Sequence, residues 1–254
     1  MSNIISVERK GAVAIVRMDR GEKRNALSQE MVLELTRIAE GFQDDTSTSA
    51  VVLTGSASEF SAGIDLSDPA RWKLDDKSFV ERRAIAQRGA RMCKAWEDMP
   101  QITISAAEGF NVGGGIALTL ACDWRVLAQS AYLYVPEVQI GIPLGWQTVP
   151  RLVGLVGPAR AKQIVLLGDK MSADKALEWG LVDFIAPDGQ AAQYAEELAE
   201  RVATLPDVAL RMSKQSINSC ANALNHLASH MDVDQAMLCG ISIEKTDARK
   251  KFEK

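Results

Sequence analysis

Residues 101–124, QITISAAEGFNVGGGIALTLACDW, put an apolar strand, three consecutive glycines and an apolar helix into a single run. Glycine inside a regular element costs about 0.5–1 kcal/mol relative to alanine, so Gly113, Gly114 and Gly115 make sense only where the backbone itself is needed. The preceding QITISAAEG (101–109) alternates β-branched and small residues as a buried strand does. IALTLACDW is apolar on every face, which predicts a short helix buried all round. A strand that turns through glycines into a helix leaves free N–H groups pointing outward, a setting for something electron-rich.

The same rhythm recurs along the chain. ISVERKGAVAIVRMD (5–19) alternates around Gly11 and predicts a β-hairpin. SQEMVLELTRIAEGF (28–42) predicts a helix capped by Ser28, with Met31, Leu35, Ile38 and Phe42 on one face. SAVVLTG (49–55) reads as a short buried strand, and WRVLAQ (124–129) with AYLYV (131–135) as a further pair. Strand–turn–helix units repeated to about residue 185 give an α/β fold class and leave the arrangement of the sheet open. After Pro187 three amphipathic helices are predicted, at 190–205, 207–220 and 223–243. The chain therefore divides into an α/β core at 1–188 and a helical region at 189–254, which either packs on its own core or forms an oligomer interface. The closing RKKFEK is read as a solvated end.

Composition narrows the function classes. With 254 residues, 47% of them hydrophobic and 24% charged, the chain can bury a sizeable core and is expected to be soluble. A net charge of −4 and a pI near 5.4 offer no general field for nucleic acid. Cys93, Cys122, Cys220 and Cys239 lie far apart with neither a disulfide framework nor a zinc spacing, and are expected to be buried cytosolic thiols. No basic-apolar-small leader and no apolar run near the length of a membrane span is seen, so a cytoplasmic chain without membrane attachment is expected. His226 and His230, four apart on a predicted helix, lack the H-E-x-x-H context of a metal site and read as a solvated face. No histidine precedes them, which argues against a serine or cysteine hydrolase.

Two glycine turns stand out, EFSAGIDLS (59–67) and NVGGGIAL (111–118). Neither is a G-x-G-x-x-G fingerprint, and no G-K-[ST] follows either. Each comes after an apolar strand and opens into a predicted helix. Facing each other, they would offer two backbone N–H groups to one oxygen, an oxyanion hole in which loss of one donor costs on the order of 10²–10³ in rate. Proton chemistry beside such a hole then falls to carboxylates. Asp65 and Asp123 are read as turn and helix-end hydrogen-bonding residues. Glu137, in YVPEVQIGIP, faces an apolar wall that would raise its pKa toward neutrality, and is the acid/base candidate.

Six blocks carry a family resemblance: EKRNAL (22–27), FSAGIDL (60–66), GGGIALTLACDWRV (113–126), VPEVQIGIP (135–143), GPARAKQIVLLG (157–168) and SADKALEWGLVD (172–183). Their order and spacing resemble the crotonase superfamily, the enoyl-CoA hydratase/isomerase family, over almost the whole chain. The resemblance implies a crotonase-like spiral core of repeated β-β-α units with a helical C-terminal region. It further implies a homotrimer or hexamer and an acyl-CoA thioester substrate, with coenzyme A entering only as part of that substrate and no other cofactor. Carried over residue by residue, it makes the N–H groups of Ile64 and Gly114 the oxyanion donors and Glu137 the acid/base. It sets Lys23 and Arg24 against the CoA phosphates and Ala26 against pantetheine or adenine. Ala62, Asp65, Leu66 and Gly113 line the same channel, and Trp146, Trp72 or Trp96 could shape the acyl pocket.

Departures from the family pattern matter as much. Hydratases of the family usually carry two glutamates, and the first of those positions is Ala117 here. One carboxylate can move a proton from one carbon to another, so double-bond isomerisation is favoured over hydration. A one-glutamate hydratase or hydratase-lyase and a non-catalytic acyl-CoA-binding protein are the alternatives. Gly145 stands where the family's dehalogenases need an aspartate, which disfavours that chemistry.

Overall fold

The structure is a computed structural model describing residues 4–241. The RKKFEK tail, the end of the third predicted C-terminal helix and the side chain of His226 lie outside the described residues.

The predicted hairpin opens the fold. β1 (Ile5–Lys10) pairs antiparallel with β2 (Val13–Met18), Val7 standing opposite Val16. β2 is buried along its length while β1 beyond Ile5 is exposed, as befits an edge strand. α1 (Gln29–Gly41) starts where Ser28 Oγ accepts from Met31 N at 3.2 Å, and it buries Met31, Leu35 and Ile38 in the core. β3 (Ala50–Thr54) then runs parallel to β2, and α2 (Pro69–Trp72), α3 (Phe79–Ala86) and α4 (Arg88–Glu97) follow.

From here one path is traced twice. β4 (Ile102–Ala107) joins the long sheet, β5 (Phe110–Val112) joins a second, smaller sheet, and α5 (Gly114–Thr119) leads on. Next, β6 (Trp124–Ala128) enters the long sheet and β7 (Tyr132–Tyr134) the small one, and α6 (Thr148–Lys162) follows. The remaining elements of the core are β8 (Met171–Ser172), α7 (Ala173–Trp179) and β9 (Phe184–Ala186). The long sheet has the order β1-β2-β3-β4-β6-β9 and the small one β5-β7-β8. A strand in each sheet followed by a helix is the β-β-α unit of the expected spiral. β3 and β4 are buried at every position, because parallel strands in the middle of such a core are covered on both faces.

Two local expectations need correction. The segments at 124–129 and 131–135 are strands, but they do not pair with each other; β6 pairs with β4 and β9, and β7 with β5 and β8. The helix expected over 223–243 is two, α10 (Asn225–Ser229) and α11 (Asp232–Gly240), broken around His230. Ahead of them, α8 (Ala191–Ala203) lays Ala191, Ala195, Leu198, Ala199 and Val202 across β2, β3, β4 and β6, its small residues letting it sit close to the sheet. α9 (Asp207–Ala221) leaves Val208, Met212 and Ile217 exposed.

Cys93 and Cys122 are buried, and burial pushes both thiols up to about 12. Cys220, expected to be buried, is exposed on α9, and Cys239 is partly so. No helix among the described residues is long and apolar enough to cross a membrane.

Candidate active site

The two glycine turns do meet. Ser61 bridges to Asn111 in parallel fashion, and Val112 N donates to Ser61 O at 3.0 Å. On the other side of the first turn, Leu27 N donates to Gly63 O at 2.7 Å and Asp65 N to Leu27 O at 3.0 Å. Along an extended chain successive N–H groups alternate in direction, so this pairing turns the Ile64 N–H away from Leu27 and toward the second turn. Gly114 is the first residue of α5, and its N–H has no partner within the helix. Among the described residues, no protein acceptor takes either amide. A Cβ built on Gly63 would stand 3.4 Å from Gly114 N, and one on Gly114 would stand 3.4 Å from Ile64 N. The two donors therefore border one small space.

Each of the three glycines has its own reason. Gly113 has φ +49°, a left-handed conformation disfavoured for side-chain-bearing residues, and a Cβ there would collide with Glu137 Oε1. A Cβ on Gly114 would lie 2.8 Å from the ring of Trp146. One on Gly115 would press into Asn111, whose buried amide bonds Thr119 Oγ1 at 3.1 Å. The run is glycine because a carboxylate, an indole and an amide each need the room.

Glu137 arrives at this space from β7. The strand ends at Tyr134, Pro136 follows, and the chain turns helically through Val138–Ile140 and reverses at Gly141, which has φ +79°. Ile142 N donates to Glu137 O at 3.0 Å and fixes the backbone. The residue as a whole is half-buried, yet its Oε2 is sealed from solvent with no hydrogen-bond partner. Burial raises the carboxyl pKa from 4.5 to about 7, with its own backbone N–H offsetting part of the rise.

Two cavities share this centre. The first, of about 80 Å³, is walled by Ala117, Ile142, Leu144 and Trp146 together with Arg71 and Trp72 of α2 and Asp232 of α11. The second, of about 240 Å³, runs past Arg24, Ala62, Leu66, Gly113, Tyr132 and Lys170. Ile64, Gly114 and Glu137 belong to both walls.

The structure thus brings together Ile64, Gly114, Glu137, Gly113, Arg24, Ala62, Leu66 and Trp146 from the residues singled out in the sequence. Lys23, which is exposed, and the buried Ala26 and Asp65 line neither cavity. Asp65 is 4% exposed, its Oδ1 accepting from Ser67 N and Oγ and its Oδ2 from Arg20 and Lys23. Burial alone would raise its pKa, but these donors hold it near 2. Arg24 is one of three successive non-glycine residues, Lys23 to Asn25, with φ between +49° and +55°. Asp123 lies elsewhere, accepting from Thr103 N, Thr103 Oγ1 and Lys214 Nζ at 2.6–2.9 Å, and it ties β4 to α9. Trp96 is fully buried behind the site and donates to Leu35 O.

Arg71, Lys170 and Asp232 are absent from the sequence reading. Lys170 reaches the channel only because β8 pairs with β7, which sets its ammonium 4.4 Å from the Tyr132 ring centre. No local pattern announces such a contact. Among the described residues, no group of His, Cys, Asp or Glu is arranged to hold a metal ion.

Comparison with known proteins identifies a family. Residues 8–252 match the profile of the enoyl-CoA hydratase/isomerase family. The chain is 32% identical over 219 residues to a short-chain-enoyl-CoA hydratase of Clostridium acetobutylicum, covering 86% of this chain and 82% of that one. It is 30% identical over 236 residues to a crotonyl-CoA hydratase of Syntrophomonas wolfei, covering 92% and 85%. A solved enoyl-CoA hydratase/isomerase from Mycobacterium paratuberculosis superposes with a TM-score of 0.88 at 25% identity, covering 99% of each chain. With its fold and these matches, the chain belongs to the enoyl-CoA hydratase/isomerase family.

Proposed function

We propose that this protein binds a short enoyl-CoA in the two joined cavities and moves a proton along its acyl chain through a thioester enolate. In this reading the Ile64 and Gly114 amides hold the thioester oxygen as it gains charge, a contribution of about 10²–10³ in rate per donor. The Glu137 carboxylate takes a proton from the carbon α to the carbonyl, the electron pair delocalises onto the thioester oxygen, and the resulting carboxylic acid returns the proton at the γ carbon. The double bond shifts and no atom is gained or lost. The 240 Å³ channel takes the CoA moiety, with Arg24 and Lys170 supplying positive charge for its phosphates. No further cofactor is used. The exposed apolar residues of α9 and beyond serve assembly into a trimer or hexamer.

One observation carries the reading: the carboxylate of Glu137, unpartnered at Oε2 and raised to about 7, borders both cavities beside two unused amides. A side chain poised near neutrality can both accept and return a proton. The choice of isomerisation rests on Ala117, whose methyl occupies the wall where a second acid would hold water.

Hydration is the second reading. It is favoured by Asp232, a further carboxylate in the acyl cavity wall, and by the hydratase names of the two relatives. Incubation with paired 2-enoyl- and 3-enoyl-CoAs in deuterium oxide separates the two. Rapid interconversion with deuterium in the acyl chain and little 3-hydroxyacyl-CoA supports isomerisation. Efficient formation of the 3-hydroxyacyl-CoA would replace it with hydration, and no reaction of any thioester would remove both.

A further inference from the structure

Arg71 is an unexpected wall for a pocket that holds a hydrocarbon chain. It sits on α2, a four-residue helix capped by Asp68 and tied to the oxyanion turn where Trp72 Nε1 donates to Asp65 O at 2.9 Å. Arg71 lines the 80 Å³ cavity alongside Ile142, Leu144 and Trp146. Of its five N–H groups one is used within the protein, by Ile85 O at 3.1 Å, while the guanidinium carbon lies 5.4 Å from the centre of the Trp72 ring. Among the described residues, no carboxylate comes within salt-bridge distance of it.

The charges around it supply no ion pair, although the field of Asp68 favours the cation. Asp68 spends its carboxylate on Gln29 N and Ala70 N, at 2.6 and 2.9 Å. Asp232, in the same wall, is engaged by Gln147 N at 2.7 Å. Arg88 adds repulsion, itself donating to Gln29 Oε1 at 3.2 Å. Burial first, and the field of Arg88 second, lower the Arg71 pKa to about 10, which leaves it cationic at neutral pH. Apart from Glu137 and Asp232 the wall around this half-buried cation is apolar, and most of its donors are left for an anion that enters the cavity.

We propose that Arg71 receives a carboxylate at the far end of the acyl chain, so that the substrate is a short acyl-CoA whose acyl group itself ends in an acid. The inference rests on the acyl-CoA reading above and narrows its substrate class. Size agrees with it: a water needs at least about 10–15 Å³ of such space, so 80 Å³ has room for about five to eight water-sized groups. That suits a chain of a few carbons with a carboxylate, and the planar guanidinium can meet both its oxygens.

Binding of unreactive saturated thioesters tests the proposal apart from turnover. Titration calorimetry of the full chain with glutaryl-CoA and with butyryl-CoA should show the acid-ended ester bound at least tenfold more tightly. In Arg71→Met that preference should fall by about ten- to a hundredfold, the size of a lost charge-assisted hydrogen bond, and Arg71→Lys should keep part of it. Equal binding of the two esters by wild type overturns the proposal without any variant. A preference unchanged in folded Arg71→Met overturns it as well. Turnover of glutaconyl-CoA and crotonyl-CoA reports separately on the catalytic reading. Preference for glutaryl-CoA with neither enoyl-CoA transformed would sustain the anion site and refute the proton chemistry. Failure of both saturated esters to bind would refute both.

Discussion

Above neutral pH, Glu137→Gln should be the more stable protein, although it removes the proposed acid/base. Burial lifts the Glu137 pKa from 4.5 to about 7, so between those values the folded chain holds a proton that the unfolded chain has released. Stability then falls as pH rises across that window, and it levels off once the folded carboxyl has ionised. The span from 4.5 to about 7, at about 1.4 kcal/mol per pH unit, amounts to about 3 kcal/mol. Glutamine mimics the protonated acid and does not titrate. Urea unfolding of both proteins at one fixed concentration should therefore give similar stabilities near pH 4.5. By pH 8 wild type should be weaker by about 3 kcal/mol. The rate should carry the same signature, rising with pH to a plateau above about 7 as the base form becomes populated. A stability difference that stays flat from pH 4.5 to 8, or wild type gaining on the variant, would refute a buried, unpaired carboxyl.

Gly114→Ala puts a methyl 2.8 Å from the Trp146 ring and should cost about 1–3 kcal/mol in unfolding experiments, part of which Trp146→Leu in the same chain should return. Gly114→Pro occupies a first helical position that tolerates proline but deletes the N–H, so turnover should drop by about 10²–10³ in the folded protein. Ala117→Glu adds a second acid to the acyl wall and should raise 3-hydroxyacyl-CoA formation relative to double-bond migration, with a second ionisation appearing in the pH–rate profile. Lys170→Met should raise KM for CoA esters about three- to tenfold with kcat little changed, and should flatten the dependence of KM on salt.

How much of this could be read in the chain depended on how far apart the contacting residues lie. The β1–β2 hairpin, α1 with its Ser28 cap, and β3 and β4 follow from periodicity and capping within single segments. The glycine triplet announced that something crowds the backbone, but not that a carboxylate, an indole and an amide do so at successive positions. AYLYV reads as the strand that β7 is, but its partner β5 is three residues long and lies where the sequence shows only the approach to a glycine turn, so the second sheet is not visible. Glu137 stood out because proline precedes it and apolar residues follow. Arg71 and Asp232 did not, since polar residues on short or C-terminal helices look solvated until distant walls close around them. The break between α10 and α11 likewise interrupts a pattern that reads as one amphipathic helix.

The central claim, that one buried carboxylate moves the proton beside two amide donors, is tested most directly by α-proton exchange in deuterium oxide. Wild type and Glu137→Gln would be incubated with butyryl-CoA, deuterium at the α carbon followed by mass spectrometry, and binding of the same ester measured by calorimetry. The account predicts exchange by wild type and a loss of about 10²–10⁴ in its rate in the variant, with affinity kept within a few fold. Exchange at the wild-type rate in Glu137→Gln, with binding intact, would contradict it.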